Sequence, residues 1–97
     1  METLRAELAN NLDEAELDWL KPHIQKDAVI LVVPDLDLLD VGVAIASDNT
    51  MSIQHWIGEQ LLVKPSIEIL NRWNANPHQK FQAMIIQPYV LVQEIDR

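Results

Sequence analysis

The chain has 97 residues, no cysteine and a formal net charge of −8 from 15 acidic and 7 basic side chains, and 48% of it is apolar. That length suits one domain, here residues 1–97, and the apolar fraction with only two glycines excludes a disordered chain. Disulfides, thiolate chemistry and sulfur-ligated zinc are excluded, and the negative field repels phosphate backbones and anionic lipid heads. No apolar run reaches the roughly 18 residues a membrane helix needs, and Met1-Glu2-Thr3-Leu4-Arg5 lacks a basic region followed by an apolar run, so no signal peptide is expected. A cytoplasmic protein with a protein or small-ligand partner is the expectation.

From Thr3 to Leu12, Leu4, Leu8 and Leu12 recur every four residues, which predicts an amphipathic helix. Asp13 and Glu16 resemble a capping box opening a second helix, with Leu17, Leu20 and Ile24 on its apolar side. Pro22 lacks an amide hydrogen, so a break or kink is expected near Leu20-Lys21. Ala28 to Val33 is a continuous aliphatic run closed by Pro34, the signature of a central strand covered on both faces. Asp37 is placed to cap a third helix carrying Leu38, Val41, Ala44 and Ile45, inside which Gly42 points to close packing on a neighbour. Asp48-Asn49-Thr50 ends that helix and caps a fourth, with Ile53, Trp56, Ile57 and Leu61 as its stripe. Gly58 falls late in it, facing solvent. Ser66 caps a fifth helix with Ile67, Leu70 and Trp73 on one face. Phe81, Ala83 and Ile85 alternate as a strand, Pro88 marks its end, and Tyr89 to Val92 is extended again. The three tryptophans, Trp19, Trp56 and Trp73, read first as core residues.

Signals for chemistry are few. Asp35, Asp37 and Asp40 invite a hard cation and hence a metal-dependent hydrolase, but they match no calcium-loop spacing, and capping accounts for two of them. His23, His55 and His78 lie in separate segments with no zinc spacing, and no serine sits in a nucleophile elbow. Catalytic, metal and cofactor residues are therefore expected to be none. The apolar run from Ile85 to Val92 is the segment best suited to contact another chain, with Ile86, Tyr89 and Leu91 as candidate interface residues. At a sheet edge it could pair with a second copy; as an inner strand it would be covered by helices.

Between Val41 and Pro65 a short helix, a polar turn, a second helix and a proline turn follow one another. The spacing of Ile53, Trp56 and Leu61-Leu62 resembles winged helix-turn-helix regulators of the mercury-resistance-regulator and excisionase type. That resemblance implies a nucleic-acid-binding regulator reading DNA with the exposed face of helix four: Ser52, Gln54, His55 and Glu59. Between Arg5 and Lys64 only Lys21 and Lys26 are basic, so the cations for phosphate contacts are missing and nucleic acid is disfavoured.

Over nearly its whole length the chain resembles a family of small uncharacterised bacterial proteins known only as a domain of unknown function. The residues concerned are Leu12 to Glu16 with Trp19-Leu20, Leu36 to Ala46, Trp56-Ile57, Lys64-Pro65-Ser66, Trp73, and Gln87 to Gln93. The resemblance implies a bacterial origin and no assigned activity. The expected architecture is α+β, about five short helices on a sheet of two or three strands, with Val29–Val33 paired to a C-terminal strand. The expected function is a non-enzymatic interaction module that forms a homodimer.

Overall fold

A computed structural model describes residues 2–95, with side chains described over 4–95. Five helices flank a five-stranded mixed sheet, an α+β fold. In chain order the elements are α1 (Glu2–Ala9), β1 (Asp13–Glu16), α2 (Leu17–Gln25), β2 (Val29–Val32), α3 (Leu38–Ala46), α4 (Thr50–Gly58), β3 (Leu62–Val63), α5 (Ile67–Ala75), β4 (Lys80–Ile86) and β5 (Tyr89–Ile95). The sheet runs β1-β4-β5-β2-β3. Only β2 and β5 are parallel, with Ile30 opposite Leu91; the other pairs are antiparallel.

Alternation along the strands divides the core in two. Val29, Leu31, Phe81, Ala83, Val90 and Val92 face α2 and α5, where Leu17, Leu20 and Trp73 complete one cluster. On the opposite face Val32, Leu91 and Leu62 pack with Leu38 and Val41 of α3, while Ile53 and Trp56 of α4 close over them. The expected pairing of Val29–Val33 with a C-terminal strand is found, with β5.

Three expectations change. The sheet has five strands, not two or three, because Asp13–Glu16 extends along β4 as β1 and Leu62-Val63 pairs with β2. Glu16 lies opposite Lys80, and their side chains bridge at 2.8 Å, so the acids read as a helix start serve a strand. Pro22 does not break α2. It sits on the exposed side, where the one lost amide bond leaves the packing of Leu17, Leu20 and Ile24 intact. Ile67 is 77% exposed, and Ile69 joins Leu70 and Trp73 against the core instead.

Helix ends follow local rules. Asp37 accepts from Leu39 N–H at 2.9 Å, Asn49 from Ser52 N–H and Ser66 from Ile69 N–H, each at 3.2 Å. α2, α3 and α4 all finish on a left-handed residue, Asp27, Asp48 and Gln60, and none of these is glycine. At each end the next amide reaches back to the helix, as Leu61 N–H does to the Trp56 carbonyl at 2.8 Å, which makes a Schellman closure. Glycine adopts that conformation without the Cβ penalty, so Gln60→Gly is expected to stabilise by about 0.5–1 kcal/mol. A Cβ added at Gly58 would meet nothing within 4 Å, so Gly58→Ala is expected to gain a similar amount. Thermal melts of the two single variants and the double check both, and a lowered melting temperature would contradict the assignment of these ends.

Gln93 ties the loop after β2 to the sheet. Its side-chain amide donates to the carbonyls of Val33 at 2.8 Å and Leu36 at 2.6 Å. These bonds fix the approach to α3, where the Val33 carbonyl also accepts from the Leu36 N–H at 3.2 Å.

Candidate functional site

Two grooves flank the sheet at opposite edges and on opposite faces. The first, about 580 Å³, lies where α3 and α4 meet β2 and β3. Ile30, Ile45, Ile53, Ile57, Leu62, Val63 and Tyr89 line it, with Asp48 and Lys64 among its polar groups. Ile57 is 55% and Tyr89 41% exposed. Lys64 also pairs with Asp27 at 2.6 Å, an exposed bridge of little net energy. Volume and apolar lining fall in the range of binding clefts.

The second groove, about 540 Å³, runs between β1 and the start of α2. Its apolar part is Ala15, Trp19, Ala83 and Ile85, and Asp13, Glu14, Glu16 and Asp18 surround it. Trp19 is 42% exposed and lies against His23 at a ring-centroid distance of 4.9 Å. The core reading therefore fails for Trp19, while Trp73 is buried and Trp56 half-buried against the α3 cluster. The signal was present: Trp19 is two residues from Leu17, well off the Leu17–Leu20–Ile24 face.

The sequence-based candidates scatter. Leu91 is fully buried, because β5 is an inner strand between β4 and β2, so it is a core residue and not an interface one. Ile86 is half-buried against the α3 side, and Tyr89 reaches the first groove. On α4, Gln54 and His55 face solvent and Ser52 is half-buried in the first turn, while Glu59, just past the helix as its C-cap, is exposed. The segment from Val41 to Pro65 does form two helices and a turn. However, Leu62-Val63 joins the central sheet as its edge and makes no separate wing, so the winged-helix likeness stops at the helix pair.

Asp37 and Asp40 face Arg5, whose guanidinium lies 3.6 and 2.7 Å from their carboxylates. A cation already occupies the acidic loop, and it belongs to α1. Among the described residues no group of three or more His, Cys, Asp or Glu is arranged to hold a metal ion. No helix among them is long and apolar enough to cross a membrane.

A family model described as "Protein of unknown function (DUF2288)" matches residues 3–94. The chain belongs to that family. The whole-chain resemblance to a family of unknown function, in which the Leu36–Ala46 and Gln87–Gln93 blocks take part, is thereby identified. The fold of this DUF2288 chain is also that of the Pseudomonas aeruginosa protein PA1075, solved in solution by NMR. The TM-score is 0.82 at 24% identity over 100% of this chain and 89% of the other. No curated protein matches the chain.

Structure accounts for two of the family-like blocks. In the first, Asp37 caps α3, Leu38 and Val41 fill the core, and Gly42 lets α3 close on Met84. In the second, Leu91 is buried and Gln93 anchors the Val33–Leu36 loop. Both serve packing, and each also gives one residue to the first groove, Ile45 and Tyr89.

Proposed function

We propose that this DUF2288 chain is a non-enzymatic cytoplasmic interaction module that pairs with a second copy of itself through the α4–β3 groove. The observation that carries this reading is the exposed apolar surface of that groove, above all Ile57 and Tyr89. Isolated exposed apolar residues need no partner, but several converging on one cleft favour one.

Charge supports a second copy at this place. The chain repels itself on average, with a net charge of −8. Around this groove, though, an acid and a base stand together, Asp48 and Lys64. A two-fold interface presents each residue of one patch to the same patch on the other copy. Asp48 of one copy can then meet Lys64 of the next, while Ile57 and Tyr89 lose water at the centre. The outward face of α4 carries no lysine or arginine, which weighs against nucleic acid as the partner. Arg5 in the Asp37–Asp40 loop weighs likewise against a metal-dependent enzyme.

Light scattering across a concentration series tests the reading. A particle of twice the 11.1 kDa chain mass is expected, reverting to the chain mass in Ile57→Glu, which buries a charge at the interface without disturbing the core. A wild-type protein that stays at 11.1 kDa at every concentration contradicts it.

A further inference from the structure

We infer that the groove between β1 and α2 is a docking surface for a basic segment of a different protein, one carrying an aliphatic anchor flanked by arginine or lysine. The inference goes beyond self-association and concerns the opposite edge of the sheet.

The floor of this groove is apolar and wet at once. Ile85 points to the same sheet face as the buried Phe81 and Ala83, yet it is 41% exposed, because the helices that cover Phe81 do not extend over it. Trp19 stands beside it at 42% exposure. An aliphatic side chain laid between them would remove both from water.

Sign decides the occupant. Asp13, Glu14, Glu16 and Asp18 line the same groove, Asp13 and Asp18 from its own side of the sheet and Glu14 and Glu16 along its edge strand. Asp18 holds Lys21 at 3.4 Å, an exposed bridge that an incoming cation can replace at small cost, while Glu16 bridges Lys80 at 2.8 Å on the other sheet face. A second copy of this chain would set its own acidic edge against this one, so charge opposes self-pairing here. Nucleic acid and anionic lipid carry the wrong sign as well. A basic polypeptide has the right one, and its guanidinium groups can also stack on the Trp19 indole.

Recognition here rests on side chains and not on strand addition. β1 is an edge strand, but the Glu14 N–H is already taken by the Asp13 carboxylate at 2.8 Å. The edge is thereby partly closed to another main chain.

The test uses three dye-labelled, end-capped hexapeptides with the whole protein in low-salt buffer, read by fluorescence anisotropy. Arg-Arg-Leu-Leu-Arg-Arg is expected to bind. Glu-Glu-Leu-Leu-Glu-Glu and Arg-Arg-Ser-Ser-Arg-Arg are expected to bind at least about tenfold more weakly, since each lacks one half of the match. Trp19→Ser and Asp13→Lys should each weaken the first peptide by about tenfold. Glu59→Lys makes the same charge change just after α4 and should leave binding within about twofold. All three side chains are exposed, and circular dichroism verifies that the variants fold. Absence of binding by the first peptide overturns the proposal. So does equal binding of the serine peptide, or an equal loss in Asp13→Lys and Glu59→Lys, since either leaves only the overall charge at work.

Discussion

Trp73→Ala is expected to cost about 3–5 kcal/mol, the typical loss on deleting a buried aromatic ring. Against a total of about 5–15 kcal/mol for a domain of this size, that loss removes from about a fifth to nearly all of the stability. Trp73 is 1% exposed and meets Phe81 edge to face at a centroid distance of 4.8 Å, with an interplanar angle of 77°. It is the point where α5 is fastened to the sheet, next to Leu20 of α2 and Val92 of β5 in the same cluster. A conservative replacement separates two contributions. The indole N–H of Trp73 is buried without a hydrogen-bond partner in the structure, which itself costs about 1–3 kcal/mol. Trp73→Phe removes that penalty along with part of the ring. It should therefore be far milder, within about 1.5 kcal/mol of the parent. Urea unfolding with an unchanged slope checks both. Equal losses for the two variants would mean that the N–H has found an acceptor.

The second large effect is at Gly42. A Cβ at this position of α3 would run into the Met84 sulfur, with the Ile86 Cδ1 atom 3.8 Å away. Met84 is itself 1% exposed, so its side chain has little room to retreat. Gly42→Leu is expected to destabilise by about 1–3 kcal/mol through overpacking, despite leucine's better helix propensity. Met84→Ala alone should cost about 2–5 kcal/mol for the cavity it leaves. Combined, each change supplies what the other lacks, so the double variant should be more stable than the sum of the two losses predicts, by about 0.5–3 kcal/mol. Strict additivity in the double-mutant cycle would show that α3 and β4 do not meet at this pair.

The expectation at Gly42 came from the sequence alone, since a glycine inside a helix has a cost that close packing can offset. Other features were legible for equally local reasons. The unbroken run from Val29 to Val33 announced a strand covered on both faces, and β2 is one. Asp37, Asn49 and Ser66 announced their helix starts because an N-cap works within three residues. What failed depended on distant partners. Asp13–Glu16 has the spacing of a capping box, and only the Lys80 end of β4 makes it a strand. The run from Ile85 to Val92 suits an edge or an inner strand equally on composition, and only β2 and β4 on either side decide for the inner one and bury Leu91. Ile57 continues the stripe of Ile53 and Trp56, yet α4 ends at the sheet margin and leaves it half in water. The grooves were illegible for the same reason, because each gathers residues from several elements far apart in the chain. Tyr89, singled out for its apolar surroundings, lines the first groove, whereas Trp19 was read as core although its helical position placed it off the buried face.

The two surfaces differ in charge and in edge, and we propose that they differ in partner. Hydrogen–deuterium exchange of the free protein, compared between dilute and concentrated samples, tests it most directly. Concentration should slow exchange in α4 and β3, around Ile57 and Leu62, and leave β1 and the start of α2 unchanged. Protection that appears at Asp13–Trp19 instead, or none in α4 and β3 at any concentration, would contradict it.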